Sequence, residues 1–180
     1  MEERESANIT DLVIEHITVN KKTDRLLNKQ QLITPYLLSK LDRMSKELSA
    51  HRPVQYVVGE AWFAGIPFYV NEHTLIPRPE TEELINWVIE EIKNSKKSIQ
   101  NILDIGTGSG CIPIALKKKC PEVSVMSVDV SKNALLVAAQ NAQTSGADIS
   151  LLNIDFLEEI NWDSLPMVNI IVSNPPYIKQ

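Results

Sequence analysis

The chain is predicted to be an α/β protein in three parts: a helical unit over residues 1–50, a β-hairpin linker over 51–79, and, over 80–180, a parallel sheet with helices between its strands. Three observations predict this. Residues 8–50 carry apolar side chains at helical spacing. Residues 53–70 alternate aromatic and β-branched side chains around Gly59 and Gly65. From Ile102 onward, short apolar runs alternate with helical segments, as consecutive βαβ units require.

Taken in order, Ile9, Leu12, Val13 and His16–Ile17 share one helical face, and Lys21 to Asp24 interrupts it. Pro35 opens a second long helix carrying Leu37, Leu38, Leu41, Met44 and Leu48. Pro77 and Pro79 stiffen the chain ahead of a helix from Glu80 to Lys93, whose Leu84, Ile85, Val88, Ile89 and Ile92 form an apolar stripe. Pro79 and Glu80 suit a first helical turn, where proline loses nothing and acids favour the dipole, so Arg78 and Glu80 read as structural as readily as functional. A polar loop, Asn94 to Ser98, leads into the first sheet strand, Ile102 to Ile105, then a glycine-rich turn and a helix from Cys111 to Lys119. The second strand runs from Val123 to Asp129, with Ser131 as N-cap of the next helix. The third covers Ile149 to Ile154, and the fourth, Val168 to Val172, stops just short of Asn174.

Ligands of a parallel sheet bind at the carboxyl ends of its strands, so four loops would share one crevice. In Gly106-Thr107-Gly108-Ser109-Gly110 the missing Cβ atoms let backbone N–H groups approach a ligand. Asp129, about twenty residues further on, stands where a carboxylate accepts from both hydroxyls of a ribose, although locally it also reads as an acid leading into the Ser131 helix. Asp155 can accept from an adenine amino group, and Phe156 either packs on that ring or serves as a core aromatic. Asn174-Pro175-Pro176-Tyr177 is the most informative stretch. An amide nitrogen is a poor nucleophile, and a site that methylates one must hold its hydrogens on fixed acceptors. The Asn carbonyl and a proline carbonyl provide two, and the tyrosine a flat wall. Alone, the tetrapeptide also fits a plain turn.

Composition narrows the class. The net charge of −5 argues against a large nucleic-acid footprint. Lys117 to Lys119, the one basic run, falls in the last turn of a helix, where cations complement the dipole. No apolar run approaches the roughly 18 residues that a membrane span needs, and the first residues are charged, so a cytoplasmic protein without membrane attachment is expected. Cys111 and Cys120 read as reduced structural thiols, and His16, His51 and His73 lack ligand-like spacing, so no metal is expected.

Asp104 to Gly110, Asp129, and Asn174 to Tyr177 together resemble the class I S-adenosylmethionine-dependent methyltransferases. Arg52 to Glu60, then Phe63, Gly65 and Phe68, then Leu75 to Glu82 narrow the likeness to the HemK/PrmC family of protein-(glutamine-N5) methyltransferases, which modify the Gly-Gly-Gln glutamine of peptide chain release factors. The resemblance implies a Rossmann-like domain with strand order 3-2-1-4, part of a seven-stranded family sheet, and so a chain that is a fragment of a longer one. It implies S-adenosyl-L-methionine bound by Gly106, Thr107, Gly108, Ser109, Gly110, Asp129, Asp155 and Phe156, with S-adenosyl-L-homocysteine as product. It implies a substrate glutamine held by Asn174, Pro175, Pro176 and Tyr177, of which Asn174, Pro175 and Tyr177 would carry catalysis. Arg78 to Thr81 would line the same crevice, and the N-terminal helices would meet the release factor. A DNA adenine-N6 methyltransferase shares the Asn-Pro-Pro-Tyr clamp but not the Leu75 to Glu82 block. A nicotinamide dehydrogenase shares only the glycine turn and Asp129. A non-catalytic binding fragment is the alternative from another class.

Overall fold

The structure, a computed structural model, describes residues 3–27, 30, 32–96 and 98–175. The chain divides into two compact units, Met1–Gly59 and Glu60–Gln180. Among the described residues, no helix is long and apolar enough to cross a membrane.

The first unit contains α1 (Glu3–Thr18), α2 (Lys22–Leu27), α3 (Pro35–Ser49) and α4 (Val54–Val58). α3 begins where it does because Pro35 occupies the first turn, where its missing N–H costs nothing, and the Thr34 side chain accepts from the Leu37 N–H. Asp11 of α1 receives Lys22 Nζ and Arg25 Nη2, each at 2.6 Å, which ties α2 to α1 across the interruption foreseen at Lys21 to Asp24. Val13, Ile17 and Met44 form the core, with Ile9, Leu37, Leu41 and Leu48 packed on it. The alternating run expected to be strand from Pro53 onward is helical at its start. Val54, Val57 and Val58 are spaced for one helical face as well as being β-branched, and packing on the Val13–Met44 core selects the helix. Gly59, at φ +73, ends it.

The hairpin is therefore confined to β1 (Glu60–Phe63) and β2 (Ile66–Tyr69), which open the second unit. Ala64 and Gly65 connect them with φ +51 and +77, as a two-residue turn matched to strand twist demands. Alanine is unusual there, and Glu82 of α5 (Thr81–Asn94) steadies it by accepting from the Ala64 N–H at 2.9 Å. Phe63 and Phe68 are buried edge to face. Four parallel strands follow: β3 (Asn101–Ile105), β4 (Ser124–Asp129), β5 (Ser150–Asn153) and β6 (Ile170–Ser173). They lie in the order β5-β4-β3-β6, the third, second, first and fourth strands, as the resemblance implies. α6 (Cys111–Lys119) joins β3 to β4, and α7 (Lys132–Ser145), capped by Ser131, joins β4 to β5.

β3 is central and nearly continuously buried, because both its faces are covered. Fully buried Ile102, Leu103, Ile114, Leu116 and Val128 make this the main core, each contributing about 1.5–3 kcal/mol. Chain order reverses between β3 and β6, so the crevice that a doubly wound sheet offers opens at their carboxyl ends. β6 is fixed at both of its ends. Asn169 Oδ1 accepts from the N–H groups of Gln100 and Asn101, and Ser173 Oγ donates to the Ile105 carbonyl.

Candidate active site

The glycine turn between β3 and α6 is tied to the end of β4. Gly106 and Thr107 both donate to the Val128 carbonyl, and Gly108 donates to Asp129 Oδ2 at 2.9 Å. At Gly108, with φ +53, an added Cβ would meet nothing within 4 Å, so that surface of the turn faces open space. Gly110 differs. Its φ is +78, and a Cβ there would stand 3.1 Å from the Cβ and 3.2 Å from the Cα of Ala138, so a side chain would push α7 off the turn.

Asp129 has one carboxylate oxygen on the turn and the other, Oδ1, on the Ser131 N–H at 2.8 Å. A carboxylate has about four lone-pair sites, which leaves acceptor capacity on both oxygens. Asn153, at the end of β5, donates to the carbonyls of Asp129 and Val130 and fixes the course of this loop. A cavity of about 300 Å³ lies at the carboxyl ends of all four strands, lined by Gly106, Asp129, Asp155, Phe156, Ser173 and Pro175 among others. Asp155 accepts from the Leu157 N–H, and the half-buried Phe156 stacks on Trp162 with ring centroids 5.6 Å apart. Phe156 is thus a wall of the cavity with aromatic support behind it, intermediate between the two roles open to it.

Asn174 continues from β6 at the same edge. Its Nδ2 donates to Thr81 Oγ1 at 2.9 Å, and Thr81 is buried at the start of α5. That bond ties the amide end of the carboxamide to α5. Pro175 borders the cavity, whereas Pro176 and Tyr177 lie outside the described residues. Arg78 and Glu80 are exposed on the approach to α5.

Thr107 and Ser109 turn inward. Their hydroxyls are buried, as is that of Ser127 on β4, and none has a hydrogen-bond partner of full geometry. Fully buried Asp104 is their neighbour, opposite Ser127 in the β3–β4 ladder. Burial pushes its carboxyl up to about 7, the nearby Thr107 and Ser127 hydroxyls pull it partly back, and Asp129 adds a smaller push upward. Cys111 is raised to about 12, chiefly by burial, which keeps it a neutral thiol.

Asn141 of α7 escaped sequence reasoning. Buried, it accepts from the Tyr69 N–H through Oδ1 and donates through Nδ2 to the carbonyls of Tyr69 and Ser109, so one side chain ties the hairpin to the glycine turn. The available signal was a lone amide on a stripe of Ala134, Val137, Ala138 and Ala142. Thr81 was named in sequence only as lining, and Trp162 and Asn153 gave no signal.

The chain is 41% identical over 181 aligned residues to a release factor glutamine methyltransferase of Flavobacterium psychrophilum, covering 99% of this chain and 62% of that protein. It is 46% identical over 149 residues to one of Lactococcus lactis, covering 83% and 53% respectively. The chain thus spans little more than half the length of these curated relatives. Among solved structures, the N-terminal domain of human METTL16 in complex with SAH superposes with a TM-score of 0.52 at 23% identity, over 64% of this chain and 48% of that one, a likeness of fold. The family model described as "Methyltransferase small domain" matches residues 86–180, the glycine turn, Asp129 and Asn174 included. With more than half of its residues inside that match, the chain belongs to the methyltransferase small domain family.

Proposed function

We propose that this protein methylates the side-chain amide nitrogen, N5, of the glutamine in the Gly-Gly-Gln motif of peptide chain release factors, using S-adenosyl-L-methionine and leaving S-adenosyl-L-homocysteine. The observation that carries the reading is the Asn174 carboxamide, oriented by Thr81 at the strand end that borders the glycine-turn crevice. Relatives of up to 46% identity named for this activity support it.

The residues present fit the cofactor. The turn at Gly108 leaves room where any other residue would place a Cβ, and the buried Asp104 cluster has no hydrogen bond of full geometry. Gly106 to Gly110, Asp129, Asp155 and Phe156 would hold it, with Thr107 and Ser109 acting through their backbone. When bound, it supplies an electrophilic methyl group on a sulfonium leaving group. The rest is alignment by the chain. Asn174 Oδ1 and the Pro175 carbonyl would accept the two hydrogens of the substrate amide, with Tyr177 the flat wall that the resemblance implies. As the amide nitrogen becomes more positive those acceptors strengthen, so orientation lowers the barrier. The proton leaves to water after transfer. The helices of the first unit are the part proposed to meet the release factor, in the cytoplasm.

Two measurements test this. Titration calorimetry should give saturable binding of S-adenosylmethionine and S-adenosylhomocysteine. Labelled methyl should appear on a release factor with Gly-Gly-Gln and not on one carrying Gly-Gly-Glu. Label on both would refute the assigned acceptor.

A further inference from the structure

Asp104 is the only acid among the fully buried side chains of the described residues, and it lies under the glycine turn. It stands between Ser127 of β4 and Val172 of β6 in the two ladders that flank β3. Neither of its oxygens, nor the hydroxyls of Thr107, Ser109 and Ser127, has a hydrogen-bond partner of full geometry. A buried polar cluster whose members sit side by side without one hydrogen bond of full geometry is costly, and it calls for an explanation. The turn above it is the one proposed to take a cationic cofactor.

Resting on that reading, we propose that cofactor binding expels a proton from Asp104, and that Ser127 and Thr107 are positioning residues which receive the carboxylate so formed. The O–H bond of the Asp104 carboxyl breaks, its electron pair stays on the oxygen, and the proton passes to solvent. Both hydroxyls then turn to donate to the anion, drawing the turn onto the sheet. The positive charge in the crevice acts through space in a poorly screened interior, so no direct contact is required. The pull of both hydroxyls on the Asp104 carboxyl against its burial agrees with this. The other groups coupled to Asp104 are Asp129, of like charge, and Cys111, whose thiol stays neutral in this range.

The test is titration calorimetry of the whole chain with S-adenosylmethionine at pH 6.5, in two buffers of different ionisation enthalpy, together with the Kd from pH 5.5 to 8.5. About 0.5–1 proton should be released, and the Kd should tighten by up to about tenfold per pH unit below 7 and level off above it. Asp104→Asn should release none and show no inflection. Ser127→Ala should move the inflection upward by about one pH unit, and Thr107→Val should move it in the same direction, which keeps the test open if one variant fails to fold. Binding without proton release, or release unchanged in Asp104→Asn, overturns the inference and leaves the methyltransferase reading standing. Weakening that is uniform with pH in both hydroxyl variants overturns the positioning role. No binding at any pH overturns both readings.

Discussion

At Asp104 a single burial sets a pH dependence for the whole fold. The folded chain holds this proton with a pKa of about 7, whereas an exposed aspartate has one of about 3.9. The folded state therefore binds the proton more tightly, and the stability this confers is complete below about pH 4 and lost as pH rises through about 7. In urea unfolding from pH 5 to 8, the wild type should lose stability relative to Asp104→Asn, and parallel curves would show that the carboxyl is already ionised. Asn174 makes a different kind of contribution, because it orients the acceptor of the methyl group and not the donor. Asn174→Ala, in a protein of the relatives' full length, should lower methyl transfer to a release factor by at least about a hundredfold while cofactor affinity barely moves. Loss of both together would show that the Thr81–Asn174 bond holds the crevice edge in place. Asp104 was legible in sequence as part of a motif, but its polar surroundings were not, since those depend on hydroxyls brought in from β4 and the turn.

Among the elements, legibility followed burial. β3 to β6 and the helices between them stand within a few residues of where apolar runs and glycines put them, because central parallel strands leave little freedom of pattern. α6 coincides with its expected bounds, Cys111 to Lys119. α4 was missed because β-branched valines at helical spacing satisfy two periodicities, and a core contact with α1 and α3 decided between them. Asn141 was unreadable for another reason, as its partner Tyr69 lies 72 residues away. The α6–α7 contact is the most exacting of these packings, since Gly110 brings its backbone against Ala138. Gly110→Ala should cost at least about 1–2 kcal/mol from the left-handed backbone alone. In a domain of this size that lowers Tm by about 2–8 °C, with more from crowding. A calorimetric Tm within a degree of wild type would mean that α7 yields freely.

For the second unit as a whole, the outermost described strand beside β3 has one paired edge. Among the described residues β6 pairs only with β3, and Ile171 on it is 55% exposed. Beside it lies an apolar groove of about 440 Å³, lined by Leu103, Phe156, Trp162, Met167 and Ile171 among others. A free edge next to an apolar face templates pairing with another chain. Residues 1–180 should therefore associate in sedimentation at tens of micromolar, and Ile171→Lys should return them to monomers. A wild type monomeric at that concentration would show the edge to be covered. Asn141 has a consequence of a different order. Because one amide group serves the outer backbone of the hairpin and the Ser109 carbonyl together, neither can open without tugging on the other. The Tyr69 amide hydrogen is thus a remote gauge of tension in the glycine turn. Its exchange with deuterium should slow severalfold when S-adenosylhomocysteine fills the crevice, although the crevice lining includes no hairpin residue. An Asn141→Ala chain should exchange that hydrogen quickly with or without ligand, so the hairpin would no longer register whether the crevice is filled.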